Sequence, residues 1–371
     1  AQMTGIEVQY KKASLDEINS KIILSTMAPK EDFDIALPAT FGLPDLIEAT
    51  ALENLDKFAQ KYEPVNFQQD ALYSIGDYYK GSLYGYQTDG DTYLMFYNKE
   101  WLENEKEQKR FFEQTGTPLK IPETWEELDR MIAFFNRPEK GMYGGSLFRI
   151  QNYIAWEWWM RFHAKGFYPL DDELKPQINN DAGVKALEEL IAVSRFLEPG
   201  VRNNGLFANF KSFGQGNKFC NIGWGGTQKY LNGKHSSMKG KLLYSPAPGG
   251  MIKGRLIPVP FLNWGWNYTV SATSKEKEIA YLFALFACSP HVSTIAVREE
   301  SGYFDPFRNS HYKDRKIIQT YTKEFLAAHK KSMVHSIPDF YLKGQGEYFD
   351  ALRENTFMAY QGKLLPRQAL D

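Results

Sequence analysis

The segment NWGWNYTVSAT (residues 263–273) decides the fold class, because a strand pattern changes there directly into a helical one. With a period of two, Trp264, Trp266 and Tyr268 share one face, while asparagine, glycine and threonine occupy the other. The residues that follow, EKEIAYLFALFACSP (276–290), have the apolar spacing of a helix. The tryptophans allow two interpretations, core filling or one wall of a pocket for a flat polar ligand.

Similar strand patterns alternate with helical ones along the whole chain. Residues 6–14 (IEVQYKKAS), 32–40, 92–98 and 218–226 look like strands, and amphipathic segments separate them. One helix is predicted to begin with a capping box, Thr124 with Glu127. This order predicts α/β architecture with mainly parallel strand pairing, and 371 residues are enough for two such lobes.

Composition excludes several classes of protein. Lys and Arg number 44 against 45 Asp and Glu, so the chain has no positive field to hold nucleic acid. Six histidines form no cluster, so we predict no metal site, and nothing in the sequence calls for a cofactor. Cys220 and Cys288 are predicted to be buried small hydrophobic residues, with one long-range disulfide as the alternative. Aromatic residues make up 15% of the chain, and they can form either core or recognition surfaces.

The usual catalytic motifs are missing from the sequence. We find no GxSxG, P-loop, HExxH or dinucleotide-binding glycine motif. Paired carboxylates leave a glycosidase open as an alternative, since their separation cannot be read from sequence. Ligands of open α/β sheets bind beyond the carboxyl ends of strands. The loops of interest are therefore 38–42, 87–91, 144–152, 223–227 and 263–267.

Six segments in order resemble the family 1 extracellular solute-binding proteins, the maltose-binding-like receptors of ABC importers. They are TGIEVQYKKASLDEINSKIILSTMAPKEDFDIALP, KGSLYGYQTDGDTYLMFYNKEWLE, IPETWEEL, NWGWNYTVSATSKEKEIAYLFALFACS, SGYFDPFRNSHYKD and YQGKLLPRQALD. Each segment alone matches the family pattern only loosely, but six such segments in the family's order are a specific match. Under this resemblance the family's first strand and helix precede Ala1 and its last helix follows the ALD ending, so we expect this sequence to lack them.

The resemblance implies a two-lobed periplasmic-binding-protein fold (type II-like) with discontinuous lobes. Lobe one is expected to comprise residues 1–108 plus 262–308, and lobe two residues 109–261 plus 309–371. Hinge strands are expected near residues 93–98 and 266–270, and the chain is expected to be a monomer.

The function implied by the resemblance is capture of a carbohydrate or polyol between the lobes by hinge closure, followed by delivery to a membrane permease of an ABC transporter. The location implied is the periplasm, or the cell surface as a lipoprotein, although the first residues show no signal-peptide pattern. A carbohydrate-active enzyme and a non-transport sugar-sensing module remain the alternatives.

All candidate ligand-binding residues except Arg308 lie in or next to the loops named above. Asp89 and Asp91 can form a turn or accept sugar hydroxyls, and they lack the remaining spacing of a calcium loop. Arg308 can pair with Asp305 or bind an anionic ligand, while most of the tryptophans in QNYIAWEWW (151–159) are expected to be core. The complete predicted set is Thr40, Asp89, Asp91, Gln151, Asn152, Tyr153, Trp224, Trp264, Trp266 and Arg308.

Overall fold

The computed structural model describes residues 5–13, 17–28, 33–259, 261–262, 265–337 and 340–371. The helices are α1 Ile18–Thr26, α2 Leu43–Glu48, α3 Asp56–Tyr62, α4 Lys99–Leu102, α5 Glu105–Thr115, α6 Trp125–Phe135, α7 Gln151–His163, α8 Asp181–Ser194, α9 Leu206–Phe213, α10 Gly225–Leu231, α11 Lys277–Ala287, α12 Pro290–Arg298, α13 Arg315–Tyr321, α14 Lys323–Val334, α15 Gln345–Tyr360 and α16 Pro366–Ala369. The strands are β1 Ile35–Ala36, β2 Tyr78–Tyr79, β3 Ser82–Leu83, β4 Gly85–Gln87, β5 Leu94–Asn98, β6 Tyr143–Ser146, β7 Lys218–Gly223, β8 Leu242–Pro246, β9 Gly250–Ile252, β10 Arg255–Ile257, β11 Phe261–Leu262, β12 Asn267–Val270 and β13 Ser336–Ile337.

Two separate sheets organise these elements into two lobes. The first sheet has three strands in the order β1-β12-β4, and α11 packs on its middle strand. The second has four strands in the order β6-β7-β5-β8. Because β12 of the first sheet follows all four strands of the second sheet in sequence, the chain passes between the lobes more than once. The two-lobed mixed α/β fold predicted from the sequence is confirmed.

Lobe two contains the largest apolar core. Every residue of β5 and β7 is buried, as expected for central strands covered on both faces. Helices α6 and α7 lie over this sheet, α15 packs against α7, and α14 packs against β8. Helix α6 begins with the capping box predicted from the sequence, in which the Thr124 side chain accepts from the Glu127 N–H at 3.2 Å.

Strand direction differs from the sequence prediction. Among the described strand pairs only β6 with β7 and β11 with β13 are parallel, whereas β5 runs antiparallel to both of its neighbours. The reason is that β4, β5, β8 and β12 flank passages of the chain between lobes, so they are not joined by simple strand–helix–strand crossovers. Residues 6–13 form no strand, and Ile6, Val8 and Tyr10 are exposed, because alternation alone supplies no neighbouring strand to pair with.

We propose lobe boundaries that differ slightly from the predicted division. The predicted division keeps residues up to 108 in lobe one, but β5 pairs with β7 and β8 of the lobe-two sheet. In our proposal the first passage between the lobes runs through residues 88–93, between β4 and β5, and the second lies between β8 and β12. The third follows α12 and precedes α13, close to the predicted boundary at residue 308.

Both cysteines are free and buried, so the prediction of small buried residues is confirmed and the alternative disulfide is not formed. Within the described ranges, no single helix is long and apolar enough to cross a membrane. Helices α11 and α12 reach that length and apolar composition only when taken together, and the two helices are bent by 60° relative to each other.

Candidate functional site

Three buried aspartates meet where the passages between the lobes converge. Asp89 and Asp91 lie on the first passage and Asp305 on the third, and one carboxylate oxygen from each lies within 4.8 Å of the others. The backbone N–H of Asp305 donates to Asp89 Oδ1 at 2.6 Å. Trp266, just before β12 on the second passage, donates its indole N–H to Asp91 Oδ2 at 3.3 Å. Hydrogen bonds to this acidic cluster therefore link all three passages.

Lobe two supplies further partners to the acidic cluster. Tyr321 donates its hydroxyl to Asp305 Oδ1 at 2.6 Å, and the backbone N–H of Gly226, in α10, donates to Asp305 Oδ2 at 3.2 Å. The buried ammonium of Lys229 donates to the carbonyls of Glu299 and Gly302, both at 2.9 Å, and attracts the cluster electrostatically. The third passage is thus fixed to α10 through both a carboxylate and a lysine.

Burial controls the protonation of the cluster. It raises the pKa of Asp91 well above its ordinary value, and the charges of Asp89 and Asp305 raise it further. Burial likewise raises the pKa of Asp89 and of Asp305, although Lys229 opposes the effect at both. Carboxyl oxygens of Asp91 and Asp305 lie within 4.8 Å of each other, so the charge of Asp305 favours the protonated form of Asp91.

A proton explains the cluster better than a bound cation does. Carboxylates are the ligands that hard cations prefer, and three of them converge here. However, four of the six oxygens already accept hydrogen bonds from N–H or O–H groups, those of Asp305, Trp266, Tyr321 and Gly226. The absence of a metal site remains a prediction, and a proton retained on Asp91 is consistent with it.

An aromatic wall adjoins the acidic cluster. The ring of Trp224, which follows β7, lies edge-on to Tyr93 with centroids 5.6 Å apart. Phe148 stacks on Tyr153 at 4.7 Å and lies 6.2 Å from Trp224. The charge of Asp91 is near enough to contribute to the raised pKa of Tyr93. Acidic and aromatic groups are therefore contiguous at this point.

The space beside the aromatic wall is narrow. Its empty volume is about 170 Å³, and its shape leaves no room for a water molecule. From lobe one, Phe41 reaches Trp156 of α7, with ring centroids 5.6 Å apart. The lobes are therefore in contact beside this space. The residues that line the space are Tyr93, Phe148, Tyr153, Trp156, Glu157, Met160 and Ile222.

A buried ion network supports α7 beneath the wall. Arg149 donates to Glu157 at 2.7 and 3.1 Å, and Arg161 donates to Glu157 at 2.9 Å. Arg161 also makes a bidentate pair with Asp129, with both distances 2.7 Å. Burial alone raises the pKa of Glu157, but the two arginines outweigh it and lower the pKa overall. Two positive and two negative groups balance, so the helix that carries Tyr153 and Trp156 is rigidly placed.

Five of the ten predicted site residues meet in the acidic cluster or the aromatic wall. Asp89, Asp91 and Trp266 meet in the acidic cluster, and Tyr153 and Trp224 meet in the aromatic wall. Gln151 and Asn152 are exposed at the start of α7, next to Tyr153. Trp264 lies outside the described residues.

Two predicted residues have contacts that belong to the scaffold. The hydroxyl of Thr40 is buried and lies 2.6 Å from both the Gly265 carbonyl and Asn267 Oδ1. Arg308 is 2% exposed and donates to the carbonyls of Phe67 and Cys288 at 3.2 and 2.6 Å. The suggested pair between Arg308 and Asp305 does not form, because Asp305 turns towards Tyr321 instead.

The sequence reasoning missed several participants. Asp305 was considered only as a partner for Arg308, although it lies in a quoted family segment. Phe148 lies in one of the loops of interest but was not singled out, and Tyr93 was assigned only to a hinge strand. Carboxylates and aromatic residues within segments that connect lobes are the signal that could have identified them.

Gly90 marks a close approach between the first and third passages. A methyl group at this position would overlap the carbonyl of Pro306, which is backbone and cannot turn aside. We expect Gly90→Ala to lower the free energy of unfolding by about 1–3 kcal/mol, as overpacking does. Urea denaturation measures this. Gly205→Ala is the matched control, since its added methyl meets only Ile150 at 3.7 Å; equal stabilities of the two variants would contradict the close approach.

Two α/β lobes linked by several passages of chain form the architecture of hinged ligand receptors. The sequence profile described as bacterial extracellular solute-binding protein matches residues 1–325, well over half of the chain. The protein therefore belongs to the bacterial extracellular solute-binding protein family, as the resemblance implied.

Individual relatives are more distant. The probable amino-acid ABC transporter periplasmic-binding protein y4oP of Sinorhizobium fredii is 27% identical over 304 residues, covering 78% of this chain and 64% of the relative. The mannitol-binding protein of Pseudomonas aeruginosa is 26% identical over 260 residues, covering 67% and 53%. This chain thus spans less than two thirds of the length of these curated relatives.

A solved structure confirms the fold. Maltose-bound MalE3 of T. maritima superposes with a TM-score of 0.79 at 19% identity, covering 96% of this chain and 87% of that chain. Such a likeness establishes the shared two-lobed fold and leaves the ligand to be argued from the site.

Proposed function

We propose that this protein is the substrate-binding component of an ABC importer and captures a carbohydrate or polyol between its two lobes. The observation that carries the proposal is the junction of the acidic cluster with the aromatic wall. A polyhydroxylated ligand has hydroxyl groups that donate to a carboxylate and apolar C–H faces that pack on an indole. Asp91 and Trp224, from the first passage and from lobe two, offer these two kinds of contact.

The charges at the site favour an uncharged ligand. Three carboxyl groups face one lysine, and that lysine is engaged by backbone carbonyls. Arg308, which the sequence analysis considered as a binder of an anionic ligand, also donates to backbone carbonyls. The relatives carry names that refer to amino acids and mannitol, and the solved structure holds maltose. Of these, a sugar or a polyol is the chemistry that the site matches best.

The proposed mechanism is closure about the three passages. With the lobes apart, the aromatic wall is accessible, and the ligand binds first to lobe two. Closure brings Phe41 of lobe one against Trp156 and excludes water. A ligand that contacts both lobes stabilises only the closed state, so it shifts the population towards that state. The monomeric closed form then docks on the membrane permease, in the periplasm or at the cell surface.

The first test is a ligand screen by tryptophan fluorescence and thermal shift, using sugars, polyols and amino acids at millimolar concentration. We expect a saturable response to a sugar or polyol. Trp224→Ala should weaken binding by about 1–3 kcal/mol, roughly 5- to 150-fold in Kd, because the stacking surface is lost.

The control is Trp101→Ala, which removes another half-buried tryptophan, one that packs on Phe135 at 5.4 Å in lobe two. It should lower stability and leave the Kd unchanged. A response to amino acids alone would overturn the ligand class, and conversion of the added compound would favour the enzyme alternative. Binding without any association with a permease would favour the sensing module.

A further inference from the structure

A short segment before α15 contacts both lobes. The ring of Phe340 packs within lobe two, 4.8 Å from Trp159 and 4.4 Å from Tyr348. The next residue, Tyr341, packs instead against the lobe-one core around Leu43 and Leu46. Adjacent side chains in an extended segment point in opposite directions, so one residue anchors the segment while the next reaches across.

Tyr341 is bound to lobe one by polar and aromatic contacts. Its hydroxyl donates to the carbonyl of Gly76 at 2.9 Å, and its ring meets Tyr79 edge-on with centroids 6.1 Å apart. Both partners lie in the lobe-one segment around β2. Tyr341 is therefore held by lobe one although its neighbour is held by lobe two.

Asp45 of α2 makes the second connection. Its Oδ1 accepts the backbone N–H of Gly344 at 2.6 Å, and its Oδ2 accepts that of Gly346 at 2.9 Å. These amides lie at the start of the 16-residue helix α15, where N–H groups lack helical partners and the helix dipole is positive. A lobe-one carboxylate thus caps a lobe-two helix.

These contacts can exist only while the lobes are together. Helix α15 packs along α7 and so moves with lobe two, whereas α2 packs with α1 in lobe one. Asp45 and its two amide partners are about 300 positions apart in sequence, so no local chain connection holds them together. Contacts made in one state alone shift the equilibrium towards that state, with or without a ligand.

We propose that Tyr341 and the first amides of α15 form an interlobe clasp, which holds lobe one closed through Gly76 and Asp45. The clasp goes beyond the proposed function, because it sets the closed population of the ligand-free receptor. The clasp favours closure through contacts between the lobes themselves, in addition to the contacts that a ligand makes with both lobes.

The test measures the distance between the lobes in ligand-free protein. Spin labels are placed at Ser20→Cys on α1 and Glu354→Cys on α15, both exposed, while the buried Cys220 and Cys288 stay unlabelled. Pulsed electron paramagnetic resonance should show a short-distance population. Asp45→Ala should move that population to longer distances, with about a tenfold drop in the closed-to-open ratio. Tyr341→Phe should produce a smaller shift in the same direction.

The control is Glu53→Gln in lobe one. Glu53 pairs with Lys277 of the same lobe at 2.7 Å and does not contact the clasp, so its variant should keep the wild-type distances. High salt should open the wild type and leave Asp45→Ala unchanged, since salt screens a charge at a helix end. Identical distributions for the wild type and Asp45→Ala would overturn the clasp. No ligand is present, so the result is independent of the proposed substrate class.

Discussion

Glu157→Ala should lower the free energy of unfolding by about 3–5 kcal/mol, which is the usual effect of removing one member of a buried ion network. Glu157 is 3% exposed and accepts hydrogen bonds from both Arg149 and Arg161. Without it, Arg161 pairs with Asp129 alone, and Arg149 is left with the uncharged Ser194 hydroxyl and Phe148 carbonyl as its hydrogen-bond partners among the described residues. Urea denaturation followed by circular dichroism measures the change.

The control for this prediction is Glu126→Ala on α6. Glu126 also pairs with an arginine, Arg130 at 3.0 Å, but its side chain is 84% exposed. Exposed pairs contribute little, so this variant should stay within about 0.5 kcal/mol of the wild type. Similar stabilities of the Glu157 and Glu126 variants would show that the network does not hold α7 in place.

Asp91→Asn should change stability and ligand binding in opposite directions. The folded protein keeps protons on the acidic cluster that the unfolded chain releases above about pH 4. The folded state therefore binds more protons, and its stability falls as pH rises through the raised pKa of Asp91. Asparagine cannot lose such a proton, so the variant should be about 1–3 kcal/mol more stable than the wild type at pH 8.

Binding should weaken in the same variant, by about tenfold, because the asparagine oxygen would stay on the Trp266 indole N–H and the amide nitrogen cannot accept a hydrogen bond from a ligand hydroxyl. Thermal melts between pH 5 and 8 test stability, and the fluorescence titration tests binding. The difference between variant and wild type should grow with pH, whereas Asp172→Asn, at an exposed position, should show no such trend. A difference independent of pH would contradict the raised pKa of Asp91.

The large-scale organisation could be predicted from local sequence patterns. Alternating strands and helices, the chain length and the ordered family segments lead to two α/β lobes, and the capping box at Thr124 is present in the structure. These features depend on neighbours in sequence or on the order of segments. They are therefore visible without knowledge of tertiary contacts.

The predictions that were wrong or incomplete concern residues whose contacts lie far away in the sequence. Asp305 joins Asp89 across 216 positions, so no local pattern identifies that meeting. The alternating residues 6–13 form no strand, because a strand also needs a neighbour to pair with. Arg308 was interpreted from its charge alone, but its hydrogen bonds go to carbonyls 241 and 20 positions away. The prediction of mainly parallel strand pairing was wrong for the same reason, because strand direction depends on how many times the chain passes between the lobes.

The position of β12 has a consequence for the order in which the protein can fold during synthesis. It is the middle strand of the lobe-one sheet, between β1 and β4, yet it comes from residues 267–270. The four strands of the lobe-two sheet all lie within residues 94–246. On a growing chain, the second lobe can therefore complete its sheet first. Strands β1 and β4 are synthesised earlier, but they cannot form their sheet until β12 has been synthesised and inserts between them.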